Sequence, residues 1–186
     1  MKCFLLGWFV ALTLCAPARA WWNSDWTLRK KITVDTTAAG VAIADPIGTV
    51  PVLVRLHDGN FLFPNANENG DDLRFVADDD KTLLPYHIEK YDSVLDEAFV
   101  WVSLPNLKPG TNTHFWLYYA NRENKAPKAD DPKGTYDADV VLVYHFAGHG
   151  VPPSDYTANG NNALSAGLPS EGSMIGSGLR LDGHGI

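Results

Sequence analysis

His87 and Glu89 stand two residues apart in a stretch of strand character, a spacing that turns both side chains to one face. An imidazole and a carboxylate so placed could work as an acid–base pair, although a solvent-exposed strand face carries such residues routinely. His145 and His149 have the four-residue spacing of two zinc ligands on a helix. Gly148 and Gly150 oppose a helix there, and Phe146 stands where a metalloprotease would carry its glutamate. The plainer reading is a strand-end histidine followed by a glycine turn. Asn65 to Gly70 places oxygen-bearing side chains at every second position before a glycine, as a calcium loop does. The EF-hand pattern fails, because its first and twelfth positions fall on Asn65 and Val76. A looser calcium site from Asp71, Asp72 or the Asp78–Asp80 run stays open beside a solvated loop in which Gly70 supplies a positive φ. Ser173 lacks the spacing of a nucleophile elbow, and there is no phosphate-binding glycine loop. No catalytic residue, no cofactor and no firm metal site are therefore expected.

Aromatic residues offer a different chemistry. Trp22, Trp26, Trp101, Trp116, Tyr118 and Tyr119 could stack on sugar rings. Trp101 and Trp116 lie inside strand patterns, where core packing is the usual role. Trp22 and Trp26 are left as ligand-binding candidates, with packing against the core or a strand edge as the favoured alternative.

The elements that would position these residues are strands. Leu28, Ile32 and Val34 alternate with Arg29, Lys31 and Thr33, the period of a half-buried strand. Val50, Val52, Val54 and Leu56 share one face, with Arg55 on the other. Leu73 to Val76, the stretch around Tyr86 to Ile88, Phe99 to Val102 and Phe115 to Tyr119 are further strands, separated by turns such as His57–Asn60 and Asp78–Lys81. The fold class expected is all-β, an antiparallel β-sandwich over residues 21–125. Residues 126–139, polar and holding Pro127 and Pro132, read as a linker. A second module is expected over 140–186, opening with a strand at Val140–Phe146 and reaching another at Leu179–Leu181. A strand so close to the last residue lacks partners, so the chain reads as a piece of a longer protein.

The N-terminus supplies an address. Lys2 is followed by an apolar run from Cys3 to Leu14 and by Ala18-Arg19-Ala20, where Ala18 and Ala20 suit signal peptidase. The apolar run is shorter than the about 20 residues of a membrane span, so residues 1–20 read as a secretory leader. Both cysteines, Cys3 and Cys15, lie within it. The exported part would then hold no disulfide and no thiolate metal site. Loss of Lys2 and Arg19 would take the formal net charge from −7 to −9. That acidity disfavours nucleic acid and anionic lipid as partners. No membrane span is expected in residues 21–186.

Several motifs occur in order: Trp22…Trp26, Pro51-Val52-Leu53-Val54-Arg55-Leu56, Asn69-Gly70-Asp71-Asp72-Leu73-Arg74-Phe75, Leu84-Pro85-Tyr86-His87-Ile88-Glu89, Val100-Trp101-Val102-Ser103-Leu104-Pro105 and Tyr118-Tyr119-Ala120-Asn121. Together they resemble a bacterial exported domain of unknown function that often precedes a concanavalin A-like (LamG-type) lectin module. Val141–Phe146, Asp155–Gly160 and Gly178–Gly183 are similar to the opening of that jelly-roll module. Many such proteins continue into a MotA/TolQ/ExbB-type proton channel. The resemblance implies a non-enzymatic periplasmic recognition or scaffold region, the sensory part of a biopolymer-transport protein. Its partner would be a glycan or an envelope protein, and membrane attachment would come through sequence beyond Ile186. The alternatives are a carbohydrate-binding or adhesive surface module and an accessory part of a glycan-processing enzyme. The resemblance brings no catalytic residues.

Overall fold

The computed structural model describes residues 21–121, 127–148, 150–170, 173, 175–180 and 183. The expected leader, with Ala18 and Ala20, and His149 lie outside them. Seven strands form two facing antiparallel sheets: β1 (Trp26–Asp35), β2 (Val50–His57), β3 (Arg74–Ala77), β4 (Leu83–Leu84), β5 (Tyr86–Asp92), β6 (Glu97–Leu104) and β7 (Asn112–Asn121). One sheet has the order β1-β7-β3-β4 and the other β2-β6-β5. The alternation read from sequence sets which side chains meet. Val54, Leu56, Val100 and Val102 of one sheet pack with Phe75, Leu84, Phe115, Leu117 and Tyr119 of the other in a single core. The chain is thus an all-β sandwich, and each large side chain buried in it contributes roughly 1.5–3 kcal/mol. Among the described residues no helix is long and apolar enough to cross a membrane.

The motif from Asn69 to Phe75 is built for geometry. Gly70 has φ +69°, and a Cβ there would lie 2.7 Å from the Tyr91 ring, so both backbone and space demand glycine. Asp72 is fully buried, and its two carboxylate oxygens accept from the backbone N–H groups of Asn67 (2.9 Å) and Asn121 (3.1 Å). The second bond fixes β7 just after Ala120, whose φ of 64° is left-handed. That conformation costs an alanine about 1–2 kcal/mol, offset by a charge-assisted bond to its neighbour.

The four outermost strands are managed differently. Along β5 the chain from 127 onward returns: the Asp131 N–H donates to the Tyr86 carbonyl (2.8 Å), and the Asp130 carboxylate accepts from the Ile88 N–H (2.6 Å). The expected linker is therefore anchored to the sheet. One carboxylate and one backbone N–H thus satisfy groups that an edge strand would leave open. A short helix, α1 (Pro132–Thr135), follows, capped by Asp131. Strand β4 is only two residues long, β2 carries Pro51, and β1 carries Lys30 on its inward face.

The strand expected at Val140–Phe146 does not form. Side chains satisfy its backbone instead of a sheet ladder. The Asp155 carboxylate accepts from the Val143 N–H (3.1 Å), and the Asn159 and Asn161 amides donate to the Val140 and Val141 carbonyls. Further on, β8 (Leu168–Ser170) and β9 (Gly178–Arg180) pair as a small antiparallel ribbon, so the strand expected at Leu179 is present through Arg180.

Candidate functional site

Strand β5 sets His87 opposite Trp101 of β6, on the outer face of the three-stranded sheet. The register shifts between Ile88 and Lys90, a bulge that adds Glu89 to the same side. The sequence spacing thus brings His87 and Glu89 together as expected. Their exposure is the correction: the His87 side chain is 4% exposed and that of Glu89 5%, because Asp130, Tyr136, His145 and Tyr156 lie over the face.

What covers them is chemically matched. Glu89 Oε2 accepts from Trp101 Nε1 (2.7 Å) and lies 3.1 Å from His145 Nδ1. On the far side of that ring, His145 Nε2 is 3.1 Å from the Tyr136 hydroxyl. With Nδ1 protonated towards the carboxylate, Nε2 is free to accept the phenolic proton. His87 Nδ1 lies 3.1 Å from Asp130 Oδ1. Its ring centroid is 4.5 Å from that of Tyr156 and 5.1 Å from that of His145. The buried His87 Nε2 has no hydrogen-bond partner among the described residues.

Burial pushes the Glu89 carboxyl up, but the bonds from His145 and Trp101 outweigh it and hold the group below the usual carboxylate range. The same balance depresses Asp130, where burial is opposed by His87 and the Ile88 N–H. Burial raises the Tyr136 phenol, with the Glu89 charge adding to it, so its proton stays on oxygen. Glu89, His145 and Tyr136 form a carboxylate–imidazole–hydroxyl chain whose end group is a reluctant acid under cover. The chain locks a covering segment onto a sheet.

The sequence pairs His87 with Glu89 and does not join His145 to them. His145 reads from sequence as a strand-end histidine, or as a zinc ligand with His149, which lies outside the described residues; the structure gives it Glu89 and Tyr136 as partners. Asp130 and Tyr136 were missed because they stand in a polar stretch with no periodicity. The alternation that faces Glu89 towards Trp101 was the one available signal. Among the described residues, no three His, Cys, Asp or Glu side chains come together to hold a metal ion.

The remaining candidates lie on the opposite sheet. Trp26 is buried, its Nε1 donating to the Asp72 carbonyl (2.5 Å). Trp22 packs on it with ring centroids 5.0 Å apart, and on Tyr118 at 5.6 Å. Neither ring stands free, and the packing alternative describes both. Trp116, expected in the core, lies on the outer face and covers the Arg29 guanidinium at 4.1 Å. Trp21 lies 4.7 Å from the same guanidinium, which pairs with Asp80 (2.6 Å), also bonded by the Tyr118 hydroxyl. Trp101, likewise expected in the core, is the outer-face donor to Glu89. The calcium candidates diverge too: Asp72 has both oxygens committed to backbone amides, while the Asp71 carbonyl accepts from Arg74 (2.9 Å). Of the acidic run, Asp79 caps its own turn through the Lys81 and Thr82 N–H groups.

No curated protein and no solved structure matches the chain. Residues 69–149 are similar to a family described as a domain of unknown function, DUF2341, and that stretch takes in His87, Glu89, Trp101, Asp130, Tyr136 and His145 but not β1 or β2.

Proposed function

We propose that residues 21–186 act as an exported, non-enzymatic recognition and scaffold region, in which the sandwich seats the segment that follows it. One observation carries this reading: the groups that could do acid–base chemistry are bonded to one another beneath a covering segment. Glu89 is committed to Trp101 and His145, and His87 Nδ1 to Asp130, so both side chains serve to seat the covering segment. The leader-like N-terminus supports export, and the ordered motifs support a place in the cell envelope. In the wider setting of the resemblance, the region would be the ligand-sensing part of a proton-channel-driven transport protein.

The test compares the intact protein with Glu89→Gln. Limited proteolysis should leave the wild type uncut between residues 128 and 157 and open that stretch in the variant. Neither protein should turn over glycosidase, esterase or peptidase substrates. Turnover that Glu89→Gln abolishes would overturn the reading.

A further inference from the structure

We propose that the open side of the sandwich, between β1 and β2, receives an extended acidic segment of a partner protein as an added strand. The inference rests on the recognition reading and names the kind of partner. Both strands are outermost in their sheets, and the cleft that both line puts them side by side. Each has one hydrogen-bonding edge without a strand partner among the described residues. Between them runs a cleft of about 300 Å³, lined by Lys30–Val34 of one strand and Val52–Leu56 of the other. Five residues of strand span about 17 Å, the length of a short added strand.

The floor and rim of the cleft differ in character. Ile32, Val34 and Val52 belong to the apolar core yet are only partly buried, unlike Phe115 and Leu117 across the ladder. They could accept alternate apolar side chains of an incoming strand, while backbone groups of β1 pair with it. Lys30 shares their inward face, since it stands opposite Leu117 as Ile32 stands opposite Phe115. Lys31 is exposed beside it, and Arg55, paired with Glu97 at 3.0 Å, closes the other rim.

Charge decides among occupants. Arg29-Lys30-Lys31 is a basic run in a chain of net charge −7. Antiparallel pairing of β1 with a second copy, centred on that run, would set like charges opposite one another. A wholly apolar strand would strip water from the Lys30 ammonium without replacing it. A strand that alternates acidic and β-branched residues meets both requirements. The lysines thus admit one class of strand and reject the others.

A synthetic peptide alternating Glu and Val, a Lys–Val counterpart and a Glu–Val version N-methylated at alternate residues are the probes, titrated by fluorescence anisotropy against the intact protein. The Glu–Val peptide should bind and weaken about tenfold or more as salt rises from low to several hundred millimolar. The N-methylated peptide, which keeps the charge but cannot complete a ladder, should not bind, nor should the Lys–Val peptide. Lys30→Gln/Lys31→Gln should weaken binding about tenfold, with circular dichroism unchanged. Equal binding of the methylated and unmethylated peptides would overturn strand addition. So would absence of binding at millimolar peptide, or a stable dimer in sedimentation velocity that buries β1. These outcomes leave the proteolysis and turnover results at Glu89 untouched, so the two readings fail separately.

Discussion

The sandwich and the segment folded over it are held by different forces. Between β1 and β7 the chain is secured by continuous ladders and a core whose largest side chains are wholly buried. Over residues 127–148 and 150–162 many of the bonds that hold it come from side chains in place of a ladder. The Asp130 carboxylate and the Asp131 backbone N–H close the β5 edge, the Asp131 carboxylate caps α1, Asp155 gathers the amides of Val143, Thr157 and Asn161, and His145 is bonded on both sides of its ring. The first region answers to changes in volume, the second to changes in charge. Apolar burial carries no titrating group, whereas clamps made of carboxylates and imidazoles follow pH.

The severest way to break the comparison is to cut into the core. Phe75→Ala should cost about 3–5 kcal/mol, and denaturant titration should show both regions unfolding together, since the buried apolar clusters among the described residues belong to the sandwich. Asp72→Ala should follow at about 3 kcal/mol, because it leaves two buried amides without an acceptor and frees β7 at Ala120. Glu89→Gln should be milder and local, about 1–2 kcal/mol. Amide exchange should rise at residues 140–157 and stay unchanged in β6.

Acidification should separate the two regions without mutation. Folding lowers the Glu89 and Asp130 carboxyls. Their contribution is therefore whole above the ordinary carboxylate range and is lost as pH falls through the folded values. Protection factors at 140–157, taken against the intrinsic exchange rate at each pH, should fall below about pH 4 while those of β2, β6 and β7 hold. The gentlest expectation is Val94→Ser, at an exposed position in the turn between β5 and β6. It should shift stability by less than about 0.5 kcal/mol.

The same division explains what could be read from the sequence. Apolar alternation over Leu28–Val34, Val50–Leu56 and Phe115–Tyr119 placed the strands, because burial on one face leaves a period of two. The faces of Trp101 and Trp116 were misjudged, since an outer face covered by other parts of the chain holds aromatics as readily as a core does. Val140–Phe146 has the composition of a strand, but Asp155, Asn159 and Asn161 offered its backbone other partners from a distance that no local pattern encodes. Likewise, His87 and Glu89 were visible as a pair, and Asp130 and Tyr136 were not. Polar clamps depend on long-range placement and leave no periodicity.

The pairing of β1 with β7 and of β2 with β6 has a practical corollary. A protein trimmed to the similar stretch, residues 69–149, would lose both outer strands and uncover the flanks of β7 and β6 at once. Those flanks bear Phe115, Leu117, Val100 and Val102, so the trimmed chain should aggregate on expression. The smallest piece worth producing starts at or before Trp26.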